Sequence, residues 1–193
     1  MRTELIKLHR RLKTTTIYVT HDQVEAMTMG ERICIMDQGK IIQVGTPIEI
    51  YKNPVNTFVA GFLASPPMNL FGASLTAADS EINIQFSGNV VTLPKKRFAS
   101  LMKYIDGEIV FGIRPEDIYP EEITENMAPF DVTVLAVESL GPETILVSHL
   151  MDGQEIYARL DRSFKAGYNT KIRLYVDISK IKLFDSKTTL AIH

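Results

Sequence analysis

Consecutive prolines at positions 66 and 67 fall where the hydrophobic pattern of this 193-residue chain changes period. Ahead of them apolar residues recur at helical spacing, as Leu5, Leu8 and Leu12 do, and again Phe58, Val59 and Phe62. Beyond them come short runs rich in β-branched and aromatic residues, separated by Gly, Pro, Asn and Asp, the pattern of a barrel or sandwich. Two prolines cannot continue a helix, and they hold the preceding backbone extended. The chain therefore divides into a domain of mixed helices and strands over 1–63, a linker over 64–68 and a β-rich domain over 69–193.

In the first domain the spacing predicts helices over 2–12, 23–29 and 55–63. Residues 32–36 and 41–44 form a hairpin through Asp37-Gln38-Gly39-Lys40, whose glycine supplies the positive φ a tight turn demands. Thr46-Pro47-Ile48-Glu49 joins an N-cap, a first-position proline and a glutamate at the third helical position. Residues 15–20 carry Ile17, Tyr18 and Val19, which suit a buried strand, and the chain turns polar at Thr20 and His21. Asp22 then caps the next helix, with Glu25 at capping-box spacing and Gly30 as a left-handed stop. A histidine between a strand end and a helix start can face an anion; the competing reading is a hydrogen-bonded structural histidine. Cys34 lies alone in an apolar run, so it forms no internal disulfide and is expected to pack as a small hydrophobe. A fragment near 60 residues buries a marginal fraction of its surface, so this half is expected to expose strand edges and to associate.

In the second domain, strands are expected over 69–75, 81–86, 89–93, 108–113, 131–140, 143–150, 154–160, 171–176 and 181–184, interrupted by a helix over 95–104. Phe71, Phe86, Phe98, Phe111, Phe130 and Phe164 are its candidate core. Arg114 before Pro115 reads as the anchor of a strand end, and Leu140-Gly141-Pro142-Glu143 as a hairpin turn. Glu116-Asp117 and Glu121-Glu122 read as solvated loop neighbours, since nothing sets one carboxyl apart from the other. His149 sits in a strand and His193 ends the chain, so no His, Cys, Asp and Glu set has metal-ligand spacing. A net charge of −2 without clustered Lys and Arg gives nucleic acid no electrostatic footing. No apolar run is long enough to cross a bilayer as a helix.

The run Tyr18-Val19-Thr20-His21-Asp22-Gln23-Val24-Glu25-Ala26-Met27 resembles the switch-histidine segment of ABC transporter ATP-binding subunits, in particular those of carbohydrate importers. The resemblance continues through Ile35-Met36-Asp37-Gln38-Gly39-Lys40, Tyr51-Lys52-Asn53-Pro54, Phe58-Val59-Ala60-Gly61-Phe62 and Ser65-Pro66-Pro67-Met68-Asn69. Further on, Gly112-Ile113-Arg114-Pro115-Glu116 and Leu140-Gly141-Pro142-Glu143-Thr144 look like the small barrel that follows the ATPase domain in this branch. The fold so implied is an α/β remnant of a P-loop ATPase domain followed by an all-β OB-like barrel with one short helix.

By the same resemblance, His21 is the catalytic switch histidine that hydrogen-bonds the γ-phosphate, with ATP and Mg as the cofactors of the longer parent protein. The implied partners are a second copy, membrane permease subunits and a regulatory protein on the barrel, at the cytoplasmic face of the membrane. Arg114, Glu116, Gly141 and Glu143 mark the regulatory or dimer surface. No Gly-x-x-x-x-Gly-Lys-Ser/Thr, Ser-Gly-Gly-Gln or strand-ending Asp-Glu occurs, and Met1-Arg2 looks like an internal Met-Arg of the family. The chain is accordingly expected to be a truncated portion that does not hydrolyse ATP alone. Two other readings are a stand-alone dimerisation or docking module and a barrel that binds a small oxyanion.

Overall fold

A computed structural model describes residues 2–78 and 81–192, and at 78 and 95–99 the backbone alone. It separates into two compact units, Met1–Ser65 and Pro66–His193.

The first unit runs α1 (Arg2–Leu12), α2 (Gln23–Met29), β1 (Ile33–Asp37), β2 (Lys40–Gly45), α3 (Pro47–Lys52) and α4 (Thr57–Phe62). The hairpin is as the sequence predicts: β1 and β2 pair antiparallel from Asp37 opposite Lys40, around a two-residue turn with Gln38 at φ 47° and Gly39 at φ 77°. Two positive φ values match the strand twist, and only glycine adopts the second at no steric cost. The α3 capping box also forms, with Thr46 Oγ1 accepting from the Glu49 amide at 3.4 Å and Glu49 Oε2 from the Thr46 amide at 3.1 Å. Ile35, Ile50, Val59 and Leu63 make a small core with Met27, Ile33, Ile42, Tyr51 and Val55 against it.

Several expectations fail in this unit. Residues 15–20 form no strand: Ile17 and Val19 are each 90% exposed. β-propensity is a preference for a half-buried pleated surface, and the strands described in this unit, β1 and β2, pair with each other. Gly30 ends α2 at φ −85°, not in the left-handed region. Space favours glycine there, because a Cβ would stand 3.0 Å from the Arg32 carbonyl oxygen. Cys34 points outward and is exposed, since β1 turns Ile35 to the core and its neighbours away. α4 begins at Thr57, where Asn56 caps it by accepting from the Val59 amide at 3.0 Å. It buries Val59, whereas Phe58 and Phe62, four residues apart, stack on one another 5.6 Å apart on a part-exposed face.

The second unit contains β3 (Asn69–Ala78), β4 (Glu81–Phe86), β5 (Asn89–Pro94), a 3-10 helix Lys95–Tyr104 and β6 (Glu108–Ile113). A short 3-10 turn Pro115–Asp117 leads to β7 (Ile118–Tyr119), β8 (Met127–Ser139), β9 (Glu143–His149), β10 (Glu155–Asp161), β11 (Lys171–Asp177) and β12 (Lys182–Asp185). The strand β7 and the turn before it escaped the sequence reading, being too short for a period. The strands form two antiparallel sheets, ordered β12-β6-β3-β4-β5 and β10-β9-β8-β11-β7. Inward residues alternate along β4, β8 and β10, and the core is threaded by Phe71, Phe86, Phe111 and Phe130, with Phe86 centred 4.8 Å from Phe111 and 6.3 Å from Phe130. Phe164 packs at its margin; the side chain of Phe98 and all of His193 lie outside the described residues.

Two asparagines join the sheets. The Asn69 side chain accepts from the Tyr157 amide at 2.8 Å and donates to the Tyr157 carbonyl at 2.8 Å and the Ile113 carbonyl at 3.1 Å. It therefore pairs with edge strand β10 as a peptide unit of a neighbouring strand would. At the start of β5, Asn89 Oδ1 accepts from the Asp131 amide of β8 at 2.8 Å. The outer edge of β12 is covered by the tail, through Ile192 N–H to Leu183 and Asp185 N–H to Leu190, each at 2.8 Å. The unit thus approaches a closed barrel, and closure protects edges that would otherwise template association. Asn69→Leu should strip partners from the Tyr157 amide and carbonyl and destabilise the unit by roughly 2–4 kcal/mol, read as a lowered urea midpoint at unchanged slope.

Candidate functional site

His21 stands in the turn that precedes α2, and both of its chain neighbours are pinned. On one side Thr20 Oγ1 accepts from the Asp22 amide at 2.9 Å and donates to Glu25 Oε2 at 2.7 Å. On the other, Asp22 Oδ1 accepts from the amides of Val24 at 2.7 Å and Glu25 at 3.1 Å. Asp22 caps the helix as its sequence position implies, but Glu25 does not reach back to the Asp22 amide. It takes the Thr20 hydroxyl and, at 3.1 Å, the Tyr18 hydroxyl. Thr20 has occupied the amide that a capping box would have used, so Glu25 turns to the hydroxyls.

These contacts leave a recognisable electrostatic imprint. The amide bonds from Glu25 and Val24 hold the Asp22 carboxyl below its ordinary range, with Arg2 and His21 adding to the effect. Glu25 pushes the Tyr18 phenol up. The His21 ring itself is exposed, beside the Asp22 carboxylate. A turn fixed on both sides with an open imidazole can offer one nitrogen as a hydrogen-bond donor to an anionic oxygen.

In the second unit, Arg114 and Glu116 occupy the corner between β6 and β7, whereas Gly141 and Glu143 sit at the β8–β9 hairpin. Arg114 is 5% exposed, so it lies beneath the surface on which the sequence reading placed it. Gly141 holds φ 91° at an open tip where a Cβ would meet nothing, and the Leu140 amide bonds the Glu143 carbonyl at 2.9 Å. Glu143 ion-pairs with Arg159 of β10 at 3.3 Å. His149 Nδ1 lies 2.9 Å from the Leu150 carbonyl, a structural contact.

The corner holds what sequence reasoning missed. Asp117, taken for a solvated loop residue, is half-buried, and desolvation pushes its carboxyl up, with Glu116 and Asp177 adding to the push and Lys180 and Arg114 opposing it. Burial likewise pushes Lys182 of β12 down, helped by the charge of Arg114. The signal was weak because Lys182 is 65 positions from Asp117, and only the pairing of β12 with β6 brings the strands together.

Among the described residues no group of three His, Cys, Asp or Glu is placed to hold a metal ion, and no helix is long and apolar enough to cross a membrane. A groove of about 690 Å³ on the β3–β4–β6 face is lined by Gly72, Ser74, Gln85, Asn89 and Ser186, with Glu108 the one charged residue in its wall. A carboxylate without an opposing cation repels an oxyanion, so this groove gives the oxyanion reading no footing.

Residues 65–118 match the family model described as the MalK OB fold domain. The chain is 42% identical over 195 residues to the oligosaccharides import ATP-binding protein MsmX of Bacillus subtilis (strain 168), covering 100% of this chain and 53% of the relative. It is 43% identical over 199 residues to the trehalose/maltose import ATP-binding protein MalK of Thermococcus litoralis, covering 100% and 52%. To the sn-glycerol-3-phosphate import ATP-binding protein UgpC of Cupriavidus metallidurans it is 38% identical over 190 residues, covering 96% and 50%. The chain spans about half the length of the curated relatives it matches. Among solved structures, the cytoplasmic molybdate-binding protein ModG aligns with 60% of this chain and 94% of its own at 14% identity and a TM-score of 0.43, too loosely to carry an argument.

The corner sets a pH dependence. The folded state holds the Asp117 proton more tightly than the unfolded chain, whose aspartate titrates near about pH 4, so this residue's contribution to stability rises as pH falls through the raised value. Asp117→Asn should therefore stabilise the second unit at pH 7 and bring no gain at pH 4, measured by urea unfolding at both.

Proposed function

We propose that this chain, related over its whole length to the ATP-binding proteins of carbohydrate importers, is the portion of such a subunit that carries the switch histidine and the regulatory barrel. The observation that carries the reading is full-length identity near 40% to relatives named for oligosaccharide, trehalose/maltose and glycerol-phosphate import. The first unit is then the remnant of a P-loop ATPase domain, and its apolar residues Ile17 and Val19 suit a strand that joins the rest of that domain's sheet.

The residues present fit the rim of a nucleotide site and not its centre. In this reading His21 donates a hydrogen bond to a terminal phosphate oxygen and so orients the attacking water, which the contacts that pin its turn support. The remainder of ATP and its magnesium would be held by groups outside this chain, since no phosphate-cradling glycine loop occurs in the sequence and no metal-holding cluster among its described residues. Bound nucleotide supplies the free energy of phosphoryl transfer. The chain's own part is to hold one donor at a fixed position, which is the kind of preorganised electrostatic contribution that phosphoryl transfer uses.

In the assembled importer two such subunits work as a pair beneath the permease at the cytoplasmic face, with the barrel as the regulatory and dimerisation domain. Its hairpin tip at Gly141, where a Cβ would meet nothing, is open to a partner.

In the complete subunit with its permease, His21→Ala should lower ATP hydrolysis and sugar uptake together by about 10²-fold or more while leaving the barrel's unfolding midpoint unchanged. Unaltered hydrolysis would remove the switch role. The isolated 193-residue chain should hydrolyse no ATP and gain no melting temperature from ATP and magnesium, since a ligand that does not bind the native state cannot stabilise it.

A further inference from the structure

Gln23 is the first residue of α2, two positions after His21, and its side chain leaves the helix altogether. Its Oε1 accepts a hydrogen bond of 2.8 Å from the backbone amide of Ala64, 41 residues further along the chain. Ala64 is the penultimate residue of the first unit and lies directly before Ser65-Pro66-Pro67. Its φ is 116°, a region that residues with a Cβ rarely enter and keep only where their surroundings hold them. Two features hold it: Leu63, which is 1% exposed in the small core, fixes the chain before it, and the Gln23 carbonyl oxygen fixes its amide.

The geometry points to Gln23 as a positioning residue that ties the turn bearing His21 to the strained joint at Ala64, so that the conformation of one constrains the other. The inference rests on the proposed role of His21, but the tie itself does not. The turn has few independent supports: α2 buries no residue, and its start is held by the Asp22 and Thr20 contacts and by Gln23. The joint is equally dependent. Beside the conformation anchored at positive φ stands a released one, in the extended region that a residue with a Cβ prefers. Release at Ala64 frees Gln23 and with it the first turn of α2; disturbance at His21 reaches Ala64 by the same bond.

The test uses the whole chain in solution, with amide exchange and the imidazole signals followed by NMR. Gln23→Met keeps side-chain length and removes the acceptor, whereas Gln23→Glu keeps an acceptor oxygen. The Met variant should speed exchange of the Ala64 amide about five-fold or more and move the His21 ring signals, and the Glu variant should restore both. Ala64→Val, whose branched Cβ is disfavoured at positive φ, should release the joint from the far end and also move the His21 signals. Unchanged Ala64 exchange in Gln23→Met would overturn the tie. Faster exchange with His21 signals fixed in both the Met and the Ala64→Val variants would overturn the coupling. In the complete subunit Gln23→Met should lower kcat with KM for ATP little changed; a tie seen by NMR without that loss would overturn Gln23 as a positioning residue for hydrolysis, whereas the role of His21 itself is read from His21→Ala.

Discussion

Backbone groups that lose water must find partners, and this molecule repeatedly meets that requirement with side-chain amides rather than with longer strands. Asn69 is the chief case. Its one amide satisfies both backbone groups of Tyr157 and the carbonyl of Ile113, all at a seam where a neighbouring strand is missing. It supplies the β10 edge with the partners a neighbouring strand would. A five-stranded sheet ending at β10 would expose a ladder edge, and an apolar residue at position 69 would bury the same area while removing the partner of three backbone groups. Within one sheet Phe71 and Phe111 pack on Phe86, and Phe86 meets Phe130 of the other at 6.3 Å, between the sheets that Asn69 and Asn89 join.

The same device supports the first unit, where there is less apolar packing to share the load. Gln43 donates to the Asn53 carbonyl and accepts from the Val55 amide, both at 2.9 Å, bridging the gap between α3 and α4. Gln23 does likewise for Ala64. Ile35, Ile50, Val59 and Leu63 cluster at the buried centre of this unit, while Leu12, Ile17, Val19 and Ile41 stand more than half exposed. Polar clamps are directional and hold geometry well, but each contributes a small net free energy. A unit built this way keeps its shape through few contacts, each of which matters.

What the sequence could disclose follows from that division. Features set by neighbours in the chain were legible: the Gln38-Gly39 turn, the Thr46–Glu49 box, the alternation of β4 and β10 and the bounds of β6. Those set by distant partners were not. Residues 15–20 have every local mark of a strand and lack a described strand beside them. Glu25 has capping-box spacing, but Thr20 reached the Asp22 amide first. Asp117 and Lys182 look solvated until β12 pairs with β6. Asn69 appears in sequence as a polar residue opening a strand, and nothing in its spacing announces three hydrogen bonds to carbonyl and amide groups. Of the candidate site, the histidine and its cap were readable; the Gln23 contact across 41 residues was not.

On the proposed switch role, the placement of His21 in the less densely packed unit has a physical sense. A residue that must respond to a ligand's arrival belongs to an element that opens at a small free-energy cost, and such elements have few buried apolar contacts. α2 buries none of its residues. Yet a hydrogen-bond donor acts at a phosphate only if its position is set beforehand, because reorganisation during the reaction would offset what the bond contributes. Local polar bonds reconcile the two demands. Thr20, Asp22 and Glu25 fix the turn's internal geometry, whereas its attachment to the rest of the unit is left to Gln23 and a thin core. The turn can then move as a rigid piece, carrying a preset imidazole, which neither a fully buried helix nor an unstructured loop would allow.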